Sequence, residues 1–218
     1  MQTKRIKRVV LCALSVVIAI LAVNLFLSGR QIVEQESAYR AARTEYIQLR
    51  EAAGIAIDET YQVEGIDWDA LRAINPGVVG WITVPGTQIN YPITQGVDNA
   101  HYLYHTFAGV RNSSGAVFLH YRAASDFSGH VQLFAHNMRD GSMFAGLHGW
   151  TGDTFRIYTP DGRMLTFAVT KRKVVSVWSD VFLSNAEGTL LVTCVSGRPD
   201  VRLVVWSELQ NEERRHSE

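Results

Sequence analysis

Val78-Val79-Gly80-Trp81-Ile82-Thr83-Val84, then Pro85-Gly86-Thr87, then Gln88-Ile89-Asn90-Tyr91-Pro92-Ile93 is the stretch that decides the fold. An apolar, β-branched run reads as a buried strand, Pro-Gly-Thr turns the chain, and a second apolar run follows. The theme repeats downstream at residues 116–121, 131–136 and 155–159. Pro160-Asp161-Gly162 then turns the chain into 164–175, and 190–194 and 201–206 complete the set. Eight strand candidates separated by turn signals, with few helices, point to a mainly β domain, either a closed barrel or a sandwich. Upstream, residues 67–74 read as a short helix stopped by Asn75-Pro76-Gly77. Downstream, the polar tail 210–218 is expected to fray.

Further toward the N-terminus the pattern changes. Val9 to Leu27 is a run of nineteen residues interrupted only by Ser15 and Asn24. As a helix it covers roughly 28 Å, the thickness of a bilayer's hydrocarbon layer. Lys4, Arg5, Lys7 and Arg8 precede it, which predicts a cytoplasmic N-terminus with the remainder outside. No small-residue cleavage site follows the run, so it reads as a retained anchor rather than a signal peptide. Residues 31–53 carry an apolar stripe of Tyr39, Ala42, Tyr46, Leu49 and Ala53 at three- and four-residue steps, either a helix docked on the main domain or a plain stalk. The expected organisation is thus a basic tail (1–8), an anchor (9–27), a spacer helix and linker (28–65), a main β domain (66–209) and a tail (210–218).

The charge balance excludes one class of partner. Twenty-one basic and twenty-one acidic residues cancel, so no field draws the chain to nucleic acid. Cys12 lies within the anchor run and cannot pair with Cys194. The part outside the membrane therefore carries a single free thiol.

A thiol acts as a nucleophile only as thiolate, and so needs an imidazole or a cation nearby. Cys194 ends the apolar run Leu190-Leu191-Val192-Thr193, which suits a buried structural cysteine as well as a reactive one on a sheet rim. Of the seven histidines, His101, His105, His148 and His216 read as solvated, whereas His120, His130 and His136 lie in or beside strands. His136 stands out because a polar loop, Asn137-Met138-Arg139-Asp140-Gly141, follows it. No third ligand at a metal-binding spacing accompanies these histidines, and neither metal nor cofactor is expected. Arg202 heads the strand Leu203-Val204-Val205 just after the turn that follows Cys194. It reads either as a solvated edge residue or as a donor to a developing oxyanion, and Arg198 is a second candidate in a loop.

At these residues the chain resembles the sortases, and among them class B. Residues 74–93 follow that family's opening strands, and Asp98-Asn99 with Tyr102-Leu103 fits its next short helix. Phe134-Ala135-His136-Asn137-Met138-Arg139-Asp140-Gly141-Ser142-Met143-Phe144 resembles its histidine motif. Leu191-Val192-Thr193-Cys194 fits L-x-T-C, and Arg202-Leu203-Val204-Val205 fits the arginine strand.

The resemblance implies an eight-stranded sortase-type barrel and a membrane-anchored cysteine transpeptidase. Its catalytic residues would be Cys194, His136 and Arg202, with Asn99, Leu103 and Thr193 lining the substrate groove. Its partners would be secreted proteins bearing a C-terminal sorting motif, and an amine acceptor from a cell-wall precursor or a pilin lysine. Peptide binding without turnover and hydrolysis of the same thioester are the competing activities. Four features depart from the family pattern: residues 176–188 form a short loop where class B enzymes carry a helical insertion, His120 stands where Asp is common, Phe134-Ala135 replaces Tyr-Gly, and Val195 and Ser196 follow the cysteine where polar or acidic residues are frequent.

Overall fold

The computed structural model describes residues 2–55, 63, 65–183 and 188–214, with side chains from Leu14 onward and at Leu11. Most of the 54–65 linker, the end of the 176–188 loop, His216 and the Cys12 side chain lie outside the described residues.

The chain divides into two compact units, Met1–Arg40 and Ala41–Glu218, and helix α1 (Gln2–Ala52) runs from the first into the second. In the first unit the apolar side chains from Leu14 to Leu27 are exposed. The helix from Leu14 is long and apolar enough to cross a membrane, with a mean hydropathy of 2.0 over its most apolar window.

The second unit is an eight-stranded closed barrel. Its strands are β1 (Val78–Thr83), β2 (Asn90–Gln95), β3 (Val117–Leu119), β4 (His130–Phe134), β5 (Thr154–Tyr158), β6 (Arg163–Ser176), β7 (Gly188–Val195) and β8 (Arg198–Arg214). Around the barrel they run β1-β2-β3-β4-β7-β8-β6-β5, and β5 closes on β1. Each apolar run read from the sequence became a strand. Alternate residues of those runs, among them Ile82, Ile93, Leu133, Phe155, Leu191 and Val205, fill the interior. The one polar hydrogen of the buried Trp81 ring is matched by Asn90, whose Oδ1 accepts from Nε1 at 2.6 Å.

The turn at Pro85-Gly86-Thr87 closes as its composition predicts. Gly86 takes a φ of +78°, and Thr87 Oγ1 both donates to Val84 O and accepts from Ile89 N. Two short helices flank the strands. In α2 (Trp68–Ile74), Asp67 caps the N-terminus by accepting from Ala70 N. The second, α3 (His101–Tyr104), lies on the crossover between the parallel strands β2 and β3.

One expectation changes, and one left open is decided. The tail expected to fray from residue 210 instead continues β8 as far as Arg214, where it pairs with Arg163 at the start of β6. The ladder is made of main-chain bonds, so a polar strand extends wherever a partner edge is on offer. The stripe on α1 is a docking face within the barrel unit: Ala42, Tyr46, Leu49 and Ala53 are all buried.

Candidate active site

Strand register brings the site together. β4 and β7 are parallel, with Phe134 opposite Val192, so two residues further on His136 comes alongside Cys194. Beyond the end of β4 the alignment is kept by Ala135, whose N–H donates to Val192 O and whose carbonyl accepts from Thr193 Oγ1 at 2.8 Å. β7 and β8 are antiparallel, with Cys194 directly opposite Arg202. Directly opposed residues share a face of a sheet. Cys194 and Arg202 therefore both stand on the outer face, beside the cluster of Leu190, Val192, Val204 and Phe134. A register shift just after Cys194 ends the regular ladder there and opens the rim.

His136 is held by groups from several segments. Its Nε2–H donates to the carbonyl of Leu103 in α3 at 2.9 Å, which leaves Nδ1 for the thiol. The loop behind it is closed by Phe144 N–H donating to His136 O at 2.9 Å and by a bridge between Asn137 and Met143. Met143 takes a left-handed φ of +55°, and its N–H donates to the Tyr91 hydroxyl at 3.2 Å.

This arrangement perturbs both partners in the directions nucleophilic catalysis needs. The thiol of Cys194 is lowered from its ordinary value, chiefly by its hydrogen bond with His136. Burial opposes this, and the charges of Arg202 and His136 add to it. His136 is raised, first by the hydrogen bond to Cys194, against burial, and then by the Leu103 carbonyl. Each partner stabilises the charged form of the other, as in a thiolate–imidazolium pair.

The Nη1 of Arg202 donates to the carbonyls of Pro199 at 2.9 Å and Val201 at 2.7 Å. These bonds fix the guanidinium four residues into β8, and among the described residues Nε and Nη2 are left for another acceptor. Arg202 borders a groove of about 290 Å³, lined also by Asn99, His120, Phe134, Phe182 and Val192. The lining mixes apolar and polar side chains, and His120 is lowered by burial and by the nearby charges of Arg122 and His130. A 3-10 turn (Asp180–Phe182) in the segment before β7 walls this groove. A larger cavity of about 470 Å³ lies between α1 and the back of the histidine loop, and none of Cys194, His136 or Arg202 lines it.

The three groove candidates separate. Asn99 lines the groove and accepts from Tyr121 N–H through its side-chain oxygen at 3.0 Å. Leu103 packs with Phe134 against Tyr102, Ala116 and Phe118 while its carbonyl holds His136. Thr193 is 2% exposed and engaged with Ala135, on the inward side of β7 between Val192 and Cys194.

Sequence reading gave no role to two residues beneath the nucleophile. The Cys194 carbonyl accepts from Asn137 Nδ2 at 3.1 Å and from His148 Nε2 at 2.9 Å. Asn137 could have been noticed as the neighbour of His136. His148, expected to be merely solvated, is exposed yet bonded to the nucleophile's own main chain. Forty-six residues separate the two, so no local signal marks it.

Residues 82–210 match the sortase domain. Sortase B of Listeria monocytogenes is 37% identical over 91 residues, covering 41% of this chain and 37% of that protein. Sortase B of Staphylococcus aureus is 27% identical over 143 residues, covering 65% and 59%. The matched stretches thus span under two thirds of either relative's length. Among solved structures, sortase B from B. anthracis in complex with AAEK1 superimposes with a TM-score of 0.65 at 23% identity, covering 79% of this chain and 98% of that one. The barrel and the matched domain place the chain in the sortase family. Within that family it is class B-like.

Proposed function

We propose that this chain is a membrane-anchored cysteine transpeptidase that joins secreted proteins to an amine through a thioester. The observation that carries the reading is the mutual perturbation of Cys194 and His136 on a rim that also presents Arg202. The Cys194 thiolate attacks the carbonyl carbon of the scissile amide within a C-terminal sorting motif. Arg202, through Nε or Nη2, stabilises the oxyanion that forms. The C–N bond then breaks, and the leaving amine takes its proton from the His136 imidazolium. An acceptor amine of a cell-wall precursor or a pilin lysine attacks the thioester, gives its proton back to His136 and expels the thiolate. The cycle returns to its starting charge state.

Asn99 and the side chain of Leu103 contact the bound motif in this scheme, and Thr193 acts from inside the barrel by holding Ala135 beside the nucleophile. Residues 9–27 cross the membrane with the basic end in the cytoplasm, which leaves the barrel outside with its substrates.

The test uses the full chain in detergent with a pool of sorting-motif peptides and an amine, with products read by mass spectrometry. An amide product that disappears in Cys194→Ala supports the transpeptidase. Cleavage without amide, whatever the amine, would replace it with a thiol hydrolase, and peptide binding without either product would replace it with a binding protein.

A further inference from the structure

Neither Glu45 nor Tyr46 borders the groove, yet both end on the segment that holds His136. The buried Tyr46 hydroxyl donates to the carbonyl of Gly115 at 2.9 Å. Gly115 lies in the left-handed region at φ +58°, pressed against α3, where a Cβ would stand 2.5 Å from Tyr102 O and 3.0 Å from Leu103 O. Ala116 N–H, the next donor along, bonds Tyr102 O at 2.9 Å. The Leu103 carbonyl that accepts from His136 therefore sits against a backbone pinned by Tyr46, with no slack between them.

Glu45 grips the other side of the same segment. One carboxylate oxygen accepts from Thr106 Oγ1 at 2.7 Å and the other from Ala108 N–H at 3.0 Å. A second arm starts from the ring of Tyr46, which meets Tyr91 edge-on with centroids 5.1 Å apart. Tyr91 in turn accepts from Met143 N–H, and Met143 bridges to Asn137. One arm reaches the imidazole nitrogen and the other reaches the main chain of the histidine loop.

We infer that Glu45 and Tyr46, on the docked end of α1, are positioning residues for the catalytic acid, setting the Leu103 carbonyl and through it the ring of His136. This rests on the acyl-transfer reading above. The helix that leads from the apolar segment is then part of the active-site frame. A misplacement of the acid by a fraction of an ångström is felt in the chemical step and not in substrate binding.

The experiment compares wild type, Tyr46→Phe and Glu45→Gln as full chains in detergent, with Gln48→Ala on the exposed side of the same helix as control. Three readouts are taken: kcat and KM for peptide and amine, thermal midpoint, and the pH profile of iodoacetamide alkylation at Cys194, located by peptide mapping. Both substitutions keep the side chain's size, so the helix still docks. Expected is a fall in kcat of roughly tenfold with KM within about twofold. The alkylation midpoint should move up by about half a pH unit, because a weakened Leu103 bond lowers His136 and the thiol loses its imidazolium partner. Gln48→Ala should match wild type in every readout. A lowered thermal midpoint with kcat and alkylation profile unchanged overturns the inference, as does a fall in kcat with the profile unmoved. The alkylation profile needs no substrate. An inactive wild type would therefore sink the transpeptidase reading and leave the positioning role to be decided by the profile.

Discussion

The two halves of the site are built by different means. Cys194 and Arg202 lie on the β7–β8 hairpin, one residue before its turn and four residues after it, and the antiparallel ladder puts them face to face. His136 lies past the end of β4 and is placed by bonds from α3, the 142–144 segment and β2, with α1 behind them. A hairpin tolerates local change because its register is over-determined by many bonds. A loop held by single hydrogen bonds from distant segments does not. The nucleophile's half should thus respond only to changes in its own side chains, and the acid's half to changes far from the chemistry.

The largest effect tests the hairpin half directly. Cys194→Ala should abolish acyl transfer, about 10⁴-fold or more, with circular dichroism and the thermal midpoint unchanged. A wild-type rate in that variant would remove the nucleophile from the scheme. His136→Ala comes next, at about 10²- to 10⁴-fold in kcat. It should also shift Cys194 alkylation to higher pH, since the hydrogen bond to His136 is the main influence lowering the thiol.

Arg202→Ala should cost about 10²- to 10³-fold in kcat, and Arg202→Lys should recover little because a point charge does not reproduce a planar fork. An equal loss carried entirely by KM would mean that Arg202 binds the substrate and does not act on the oxyanion.

The pH dependence of kcat/KM sharpens the comparison. Activity should rise as Cys194 loses its proton, at a pH below that of an ordinary thiol, and fall as His136 loses its proton, above that of an ordinary imidazole. The two limbs belong to the coupled pair and not to either residue alone. Reversed displacements of the limbs would contradict the pairing.

The smallest effect probes where the halves join. His148→Ala removes one of the two donors on the Cys194 carbonyl and should lower kcat about three- to tenfold with KM unchanged. A change as large as that of Arg202→Ala would show that the hairpin half also depends on distant support.

Much of this molecule was legible in one dimension. Each apolar run between turn residues became a strand, because alternation and β-branching describe a surface buried on one side wherever they occur. The short spacing between Cys194 and Arg202 already implied a hairpin. The end of β8 was not legible, because residues 210–214 carry polar side chains and only the free edge of β6 makes them a strand. The inward face of Thr193 follows from the pleat once the outer face of Cys194 is known, but the chain alone does not say which face is outer.

By itself the sequence determined the apolar segment near the N-terminus, the strand order along the chain, and the residue types able to carry thiol chemistry. These depend on composition and on periods of two or three to four residues, which are local properties. Only the tertiary structure decided that β4 and β7 run parallel, so that His136 ends beside Cys194, and that Leu103, Asn137 and His148 surround the pair. Barrel closure sets those neighbours across separations of tens of residues, and no pattern within a window records which segments it brings together.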